Sequence, residues 1–238
     1  MTTNNIAGKK IVIIGGTSGI GLATAIAANE LGAQVWVAGR SQGNIDKANA
    51  AGDGKFEVRQ ADTNDAASLE TIFKEVGSID HLVSTAIGGE RTLKPFLEQT
   101  EEQFKAAYGK LWGYANVVRT GAPFLAEDAA ITLVSGSPAA KIQAGLSALS
   151  CVGAAVENLV RCLAVEMAPI RVNAVSPGTI ATAMFEHLDA AALEGMTANH
   201  LIKRPGTSEE VAAGLIFVMQ NAFATGTIVD LDGGRILS

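Results

Sequence analysis

Short apolar runs alternate with segments of helical periodicity along the whole chain. The apolar runs predict seven strands, at 10–14, 34–38, 56–60, 81–84, 131–135, 171–175 and 226–230. Helical spacing predicts helices at 20–31, 66–76, 100–126, 147–167 and 208–220. Continuous apolar strands that alternate with helices are typical of parallel strands buried on both faces. We therefore predict an α/β fold with a doubly wound parallel sheet, whose ligands bind at the carboxyl ends of the strands.

The pattern continues without a linker, a repeat or a low-complexity stretch. The chain has 238 residues, 48% of them hydrophobic, which is enough for one sizeable core. We therefore expect a single domain over residues 1–238. The least regular segment is 184–203, and we interpret it as a mobile lid over a substrate.

Charge and composition exclude several classes of function. A net charge of −6 argues against binding to the phosphate backbone of nucleic acids. We see neither a signal peptide nor an apolar run near the roughly 18 residues that a membrane helix needs. We expect a cytoplasmic protein with neither a nucleic acid nor a membrane as a partner.

Cysteine and histidine spacing gives no sign of a disulfide or a metal site. Cys151 and Cys162 fall on one predicted helix, roughly 16 Å apart at about 1.5 Å per residue, which is too far for a disulfide. We expect both to be reduced thiols in the core. His81, His187 and His200 lie far apart, so we expect no metal.

A glycine-rich loop, Gly15–Gly21, joins the first strand directly to the first helix. A pyrophosphate needs bare backbone N–H groups at the positive end of a helix dipole. Gly15 would permit the tight turn, Gly19 a close approach of the ligand, and Gly21 close packing of the helix. Thr17 and Ser18 offer hydroxyls to phosphate oxygens. The strand–loop–helix context favours a dinucleotide site over a plain glycine-rich turn.

The end of the second strand indicates which dinucleotide is bound. Proteins that prefer NAD usually carry an acidic residue there, and this chain has Arg40 and Ser41 instead. A guanidinium can pair with a 2′-phosphate, and the serine can add a hydroxyl. The sequence thus favours NADP(H) over NAD, with a solvated surface charge at Arg40 as the alternative.

Together these features resemble the short-chain dehydrogenase/reductase family over nearly the whole chain. The loop matches the family's glycine motif, although Ile14 stands where threonine is usual. Segment 171–178 is similar to the strand and turn that face the nicotinamide, and 204–212 and 232–234 match C-terminal signatures. The resemblance implies a seven-stranded Rossmann sheet of order 3-2-1-4-5-6-7. It also implies homodimers or homotetramers formed through the two long helices.

The resemblance extends the predicted cofactor site. It implies that Asp62 contacts the adenine and that Thr182 binds the carboxamide. After the fourth strand the chain departs from the family's Asn-Asn-Ala-Gly, but Ala86 keeps its place and Gly88 serves the close approach. Beyond the loop, Arg40 and Ser41, the implied site comprises Ile20, Asp62, Thr63, Ala86, Ile87, Gly88, Pro177, Gly178, Ile180 and Thr182.

The resemblance fails at the catalytic residues. The family uses a serine, an asparagine and a Tyr-x-x-x-Lys pair for general acid–base and electrostatic roles. The match at 163–169 fixes the register, and it puts Leu149 in the tyrosine position and Gly153 in the lysine position. The serine position falls at Gly136, and the asparagine position at Lys110. Neither Leu149 nor Gly153 can transfer a proton.

Other side chains could carry relocated chemistry. Lys110 could reach the ribose or the substrate carbonyl, although it could also be a surface lysine. A helical turn away, Tyr114 could share that face or simply pack in the core. Either His187 or His200 could supply a proton if the lid closes, or could merely pack. The candidate catalytic residues are Lys110, Tyr114, Ser135 and Ser137.

Three functions remain open. The favoured one is an NADP(H)-dependent oxidoreductase that acts on a small carbonyl or alcohol, because fold and cofactor supply binding and hydride geometry without the usual acid. The second is a catalytically inactive NADP(H)-binding sensor or regulatory subunit. The third is a structural subunit that pairs with an active relative.

Overall fold

A seven-stranded sheet forms the centre of the molecule. The computed structural model describes residues 5–89, 91–182 and 190–238. Its strands are β1 (Lys10–Ile14), β2 (Gln34–Gly39), β3 (Glu57–Gln60), β4 (Ile79–Ser84), β5 (Leu125–Val134), β6 (Arg171–Pro177) and β7 (Ile228–Leu231). Its helices are α1 (Gly19–Glu30), α2 (Gln42–Gly52), α3 (Ala66–Val76), α4 (Glu101–Gly121), α5 (Ser147–Glu166), α6 (Ala190–Gly195) and α7 (Ser208–Gln220).

All neighbouring strands pair in parallel, in the order β3-β2-β1-β4-β5-β6-β7. This confirms the predicted order. Since β1 pairs with both β2 and β4, the chain order reverses beside β1. A crevice opens at such a point in an open α/β sheet.

Hydrophobic side chains cover both faces of the sheet. Val12 and Ile14 of β1 belong to a cluster with α3, α4 and α5. Ile11 and Ile13 belong to a second cluster with α1 and α7. Burial on both faces explains why the strands read as continuous apolar runs.

Helix α2 is absent from the sequence prediction. Its buried residues, Ile45, Ala48 and Gly52, form a stripe that is narrow and mostly small. Such a stripe gives little hydrophobic periodicity. The helix ends at Asp53, whose φ of 47° lies in the left-handed region.

The predicted helix 100–126 is too long. Helix α4 ends at Gly121, and a 3-10 turn over Ala122–Phe124 leads into β5 at Leu125. Pro123 lacks the amide hydrogen that would continue the helix. The predicted capping box at the other end is confirmed, because Thr100 and Gln103 satisfy each other's backbone amides.

The predicted lid, 184–203, lies partly outside the described residues. Within its described part, α6 spans six residues and was not predicted. The segment after it packs on the C-terminal turn, where the Ile202 amide donates to the Gly233 carbonyl at 2.9 Å.

The exposed side of helix α5 carries two cysteines that the sequence predicted to be in the core. Cys151 and Cys162 are free but exposed, so the expected core position is wrong. By length and composition, α5 is also the one helix in the described part of the chain that could cross a membrane. Its buried residues, Val152, Val156 and Val160 among them, face the interior, where α5 contacts α4 and β6.

We expect Leu215→Ala to lower the free energy of unfolding by about 2–5 kcal/mol, because its side chain is fully buried between α7 and the sheet and alanine would leave a cavity. Urea denaturation followed by circular dichroism measures the change. Leu97→Ala is the control, since Leu97 is 93% exposed, and it should shift stability by less than about 0.5 kcal/mol. Equal losses in both variants would contradict this assignment of the core.

Candidate functional site

A cleft lies at the carboxyl ends of β1, β2 and β4. It encloses a cavity of about 390 Å³. Most of the predicted cofactor residues line it: Gly15, Thr17, Ser18, Gly19, Ile20, Arg40, Ser41, Thr63, Ala86, Ile87, Gly88 and Thr182. Asn44 and Thr85 line it as well and were missed. Asn44 sits on the unpredicted α2, whereas Thr85 lies in the segment that was compared with the family motif.

Four predicted cofactor residues do not line this cavity. The Asp62 carboxylate accepts the Asn64 amide at 2.9 Å, so it closes its own turn. Gly178, which follows Pro177 at the end of β6, donates its amide to the Leu231 carbonyl. Ile180 is buried in the cluster with α1 and α7.

The glycine loop folds tightly onto the start of α1. Gly15 has a φ of 92° and Gly19 a φ of 50°, both in the left-handed region that favours glycine. A Cβ on Gly21 would collide with the Gly15 carbonyl and with the hydroxyl of Thr85. That hydroxyl donates to the Gly15 carbonyl at 3.0 Å. The loop is therefore compact, and its glycines allow this close packing.

The first turn of α1 points its amides toward the cavity. Ser18 is the N-cap residue, but its side chain makes no capping hydrogen bond. The first turn carries no acidic residue. A positive helix end with uncapped amides suits a phosphate group.

Arg40 spans the cleft from the end of β2. Its Nη2 donates to the Gly88 carbonyl at 2.9 Å. The side chain forms no salt bridge with any described residue. Its charge is therefore available beside Ser41 and Asn44, which line the same part of the cavity.

Gly88 joins the cleft to α4. Its φ is 77°, and a Cβ there would meet the backbone of Gly109 and Lys110. The close approach that the structure shows at Gly88 brings the loop after β4 against α4, at the turn that carries Lys110.

Lys110 points to the end of β5. Its Nζ donates to the Ser135 carbonyl at 2.8 Å and lies 5.7 Å from the centre of the Tyr114 ring. Burial, together with the nearby charge of Arg91, lowers the pKa of Lys110 to about 7. An amine of that pKa exchanges protons near neutral pH.

Ser135 connects β5 to a carboxyl group that the sequence analysis missed. Its hydroxyl donates to Oε1 of Glu157 at 3.0 Å. Burial raises the pKa of the Glu157 carboxyl. The available signal was helical spacing, since Glu157 lies one turn beyond Gly153 on α5.

Ser137 bonds to a different partner from Lys110 and Ser135. Its hydroxyl accepts a hydrogen bond from Nη1 of Arg235 at 3.0 Å. Arg235 was also missed, and no local pattern could have found a contact between residues 98 positions apart.

Tyr114 has the position expected of a core residue. It is fully buried, its hydroxyl donates to the Val134 carbonyl at 3.0 Å, and burial raises its pKa. These observations favour the packing alternative over a catalytic role.

The positions of the family's Tyr-x-x-x-Lys pair are filled by packing. A Cβ on Gly153 would lie 3.0 Å from the Cβ of Ala139, so α5 lies close to the turn after β5. Leu149 is half-buried one helical turn earlier.

Of the two histidines in the predicted lid, the structure describes His200. His200 is buried, and burial lowers its pKa, with a further contribution from the charge of Arg235. His187 lies outside the described residues. In the described ranges, no group of three or more His, Cys, Asp or Glu could hold a metal ion.

Comparison with known proteins identifies the family. The family model described as enoyl-(acyl carrier protein) reductase matches residues 15–235. The short-chain dehydrogenase/reductase ATR9 of Stachybotrys chlorohalonatus is 37% identical over 98% of both chains. The short-chain dehydrogenase/reductase ucsE of an Acremonium species is 32% identical over 100% of this chain and 98% of its own.

Solved structures have the same fold over the full length. The MalC reductase/Diels-Alderase of Malbranchea aurantiaca superposes with a TM-score of 0.89 at 28% identity, covering 100% of both chains. A small-chain dehydrogenase in complex with NADPH gives a TM-score of 0.82 at 29% identity, covering 97% of this chain and 99% of its own. The chain belongs to the short-chain dehydrogenase/reductase family.

Proposed function

We propose that this protein is an NADP(H)-dependent oxidoreductase that acts on a small carbonyl or alcohol substrate through a non-standard proton-transfer site. One observation carries the proposal: the glycine loop and Arg40, which forms no salt bridge with any described residue, share a cleft with a loop that contacts the backbone of Lys110. The NADPH complex of a relative with the same fold supports the choice of cofactor.

The residues of the cleft fit a dinucleotide. A Cβ on Gly15 would collide with the backbone of Ala86, so this glycine lets the loop fold against the segment after β4, and the amides at the start of α1 would face the diphosphate. Arg40 and Ser41 would hold the 2′-phosphate. Of the further predicted contacts, Thr63, Ala86 and Thr182 line the cavity, whereas Asp62 and Pro177 would need to contact the cofactor from outside the lining.

Lys110 would move the proton. When bound, the nicotinamide supplies or accepts the hydride. Reduction adds a hydride to the carbonyl carbon and pushes the π electrons onto the carbonyl oxygen. The Lys110 ammonium would give its proton to that oxygen, and the amine would take the proton back from an alcohol in the opposite direction. The carbonyl of Ser135 holds Nζ in place at 2.8 Å.

One observation favours a second candidate, an NADP(H)-binding sensor or regulatory subunit without catalysis. At the family's lysine position, Gly153 is packed against Ala139, so no proton-transfer group occupies that place. This candidate keeps the cofactor cleft and has no turnover.

We also propose that the protein is a homodimer or homotetramer. Trp112 on α4 and Val165 on α5 are 64% and 80% exposed, which favours contacts through these helices. We propose a cytoplasmic location as well.

We expect Arg40→Ala to weaken NADPH binding about tenfold to a hundredfold and to leave NADH binding within about twofold, because only NADPH carries the 2′-phosphate. Fluorescence titration of both nucleotides measures the effect. Lys47→Ala, which removes an exposed cation of α2, is the matched control and should change neither affinity. Equal affinity of the wild-type protein for both nucleotides would contradict the NADP(H) preference.

We expect carbonyl reduction to fall as pH rises through about 7, because only protonated Lys110 can donate, and alcohol oxidation to rise over the same range. Among the described residues, Arg91 is the charge that acts on Lys110, and Glu157 lies across Ser135 from it. The measurement is NADPH oxidation with quinones, aldehydes and ketones between pH 5 and about 9, and the reverse reaction with alcohols and NADP⁺.

Two variants test this assignment. Lys110→Met should slow reduction about 100-fold or more and abolish the pH limb near 7. Lys110→Arg keeps the charge without titrating in this range, so it should also lose the limb. An unchanged rate and pH profile in Lys110→Met would contradict the role of Lys110, and NADPH binding without turnover of any substrate would favour the sensor.

A further inference from the structure

Arg235 brings a cation from the end of the chain to the end of β5. Its Nη1 donates to the Ser137 hydroxyl and its Nη2 to Oε1 of Gln143, both at 3.0 Å. Ser137 directly follows Gly136, the position at which the family resemblance expects the carbonyl-binding serine. The guanidinium therefore lies beside the residue that follows this expected position.

The charge of Arg235 is not neutralised by a salt bridge in the described part of the chain. Its two side-chain acceptors, a hydroxyl and an amide oxygen, are neutral. Asp232, whose charge acts on Arg235, accepts the Gly234 amide with Oδ1 and the Ile236 amide with Oδ2. A guanidinium has five N–H donors in a fixed fork, so donors remain for another acceptor.

The end of β5 also holds two further ionisable groups, the Lys110 amine on the Ser135 carbonyl and the Glu157 carboxyl on the Ser135 hydroxyl. Lys110 bonds to Ser135, two residues before Ser137. Arg91 is close enough to Lys110 to act on its protonation. Partial burial strengthens the attraction of such cations for an anion.

We propose that Arg235 binds an anionic group of the substrate, a carboxylate in particular, beside the reacting carbon. Ser137 and Gln143 orient the fork, and the free N–H groups receive the two oxygens of the carboxylate. This inference rests on the proposed function, because it takes the end of β5 as the place of reaction. It narrows the substrate class from small carbonyl compounds to oxo acids and the corresponding hydroxy acids.

The test compares oxo acids with their uncharged methyl esters. Pyruvate, 4-oxopentanoate and 4-acetylbenzoate, each paired with its methyl ester, vary the distance between carbonyl and carboxylate. Binding is measured by calorimetry and by saturation-transfer NMR, with and without NADPH, so the readout needs no turnover. We expect the wild-type protein to bind at least one acid about tenfold to a hundredfold more tightly than its ester.

Three variants separate recognition from a structural role. Arg235→Gln should remove the preference for the acid, whereas Arg235→Lys should keep part of it. In the matched control, Arg119→Gln removes an exposed arginine of α4 and should keep all of it. A purely structural tether would lower the melting temperature of Arg235→Gln without changing the ratio of acid to ester affinity. If Arg235→Gln does not fold, the ratio for Arg235→Lys and its decrease with added salt decide the question.

The outcomes distinguish this inference from the proposed function. If NADPH binds but acids and esters bind alike, or no probe binds, the anion site is wrong and the proposed function stands. A preference for the acid that survives in Arg235→Gln also overturns the inference. If NADPH does not bind, the proposed function fails, and the preference measured without NADPH still decides the role of Arg235.

Discussion

Contact between backbone segments at the reversal point of the sheet determines how the cleft is built. Gly15, Gly21 and Thr85 bring the ends of β1 and β4 and the start of α1 so close together that a single Cβ at either glycine would collide. The hydrogen bond from Thr85 to Gly15 closes this contact. Because the loop cannot spread, the amides of α1 face the cavity. The segment after β4 that contains Thr85 continues to Gly88, where a Cβ would collide with the backbone of α4. The position of Lys110 on α4 therefore also depends on close backbone contact.

At the end of β5, charged side chains form hydrogen bonds with the neutral groups of two serines, Ser135 and Ser137. Ser135 accepts from Lys110 with its carbonyl and donates to Glu157 with its hydroxyl, and Ser137 accepts from Arg235. Buried charges in a protein core are normally paired directly, since isolated burial costs several kcal/mol. Here Lys110 and Arg235 bond to neutral groups of serines, whereas Glu157 bonds to Ser135 and also lies 4.0 Å from Arg161. Side chains with perturbed pKa values are common at functional sites, where a bound ligand can pair with their charges.

The sequence predicted the sheet and the cofactor cleft because both depend on local patterns. Apolar runs revealed the strands, and the glycine loop carried its own strand and helix context. Helix α2 escaped because its buried side is a narrow stripe of mostly small residues, and α4 was drawn too long because its apolar spacing runs on past Gly121 and Pro123 into β5. At the site, Lys110 followed from a register count. Arg235 and Glu157 did not, since their serine partners are distant in sequence and become neighbours only in the folded chain.

The rate contributions of acid catalysis and of reactant alignment explain how a family member could lose the tyrosine and the lysine and remain an oxidoreductase. General acid catalysis contributes roughly 10²- to 10⁴-fold, whereas holding two reactants in alignment gives effective molarities of about 10⁵–10⁸ M. Alignment depends on the glycine loop, Arg40 and the ends of the strands, all of which the chain retains. At the family's lysine position, a Cβ on Gly153 would lie 3.0 Å from the Cβ of Ala139, so α5 packs tightly against the turn after β5. On the proposed function, proton transfer would come from Lys110, which reaches the Ser135 carbonyl from α4 beside the close approach at Gly88.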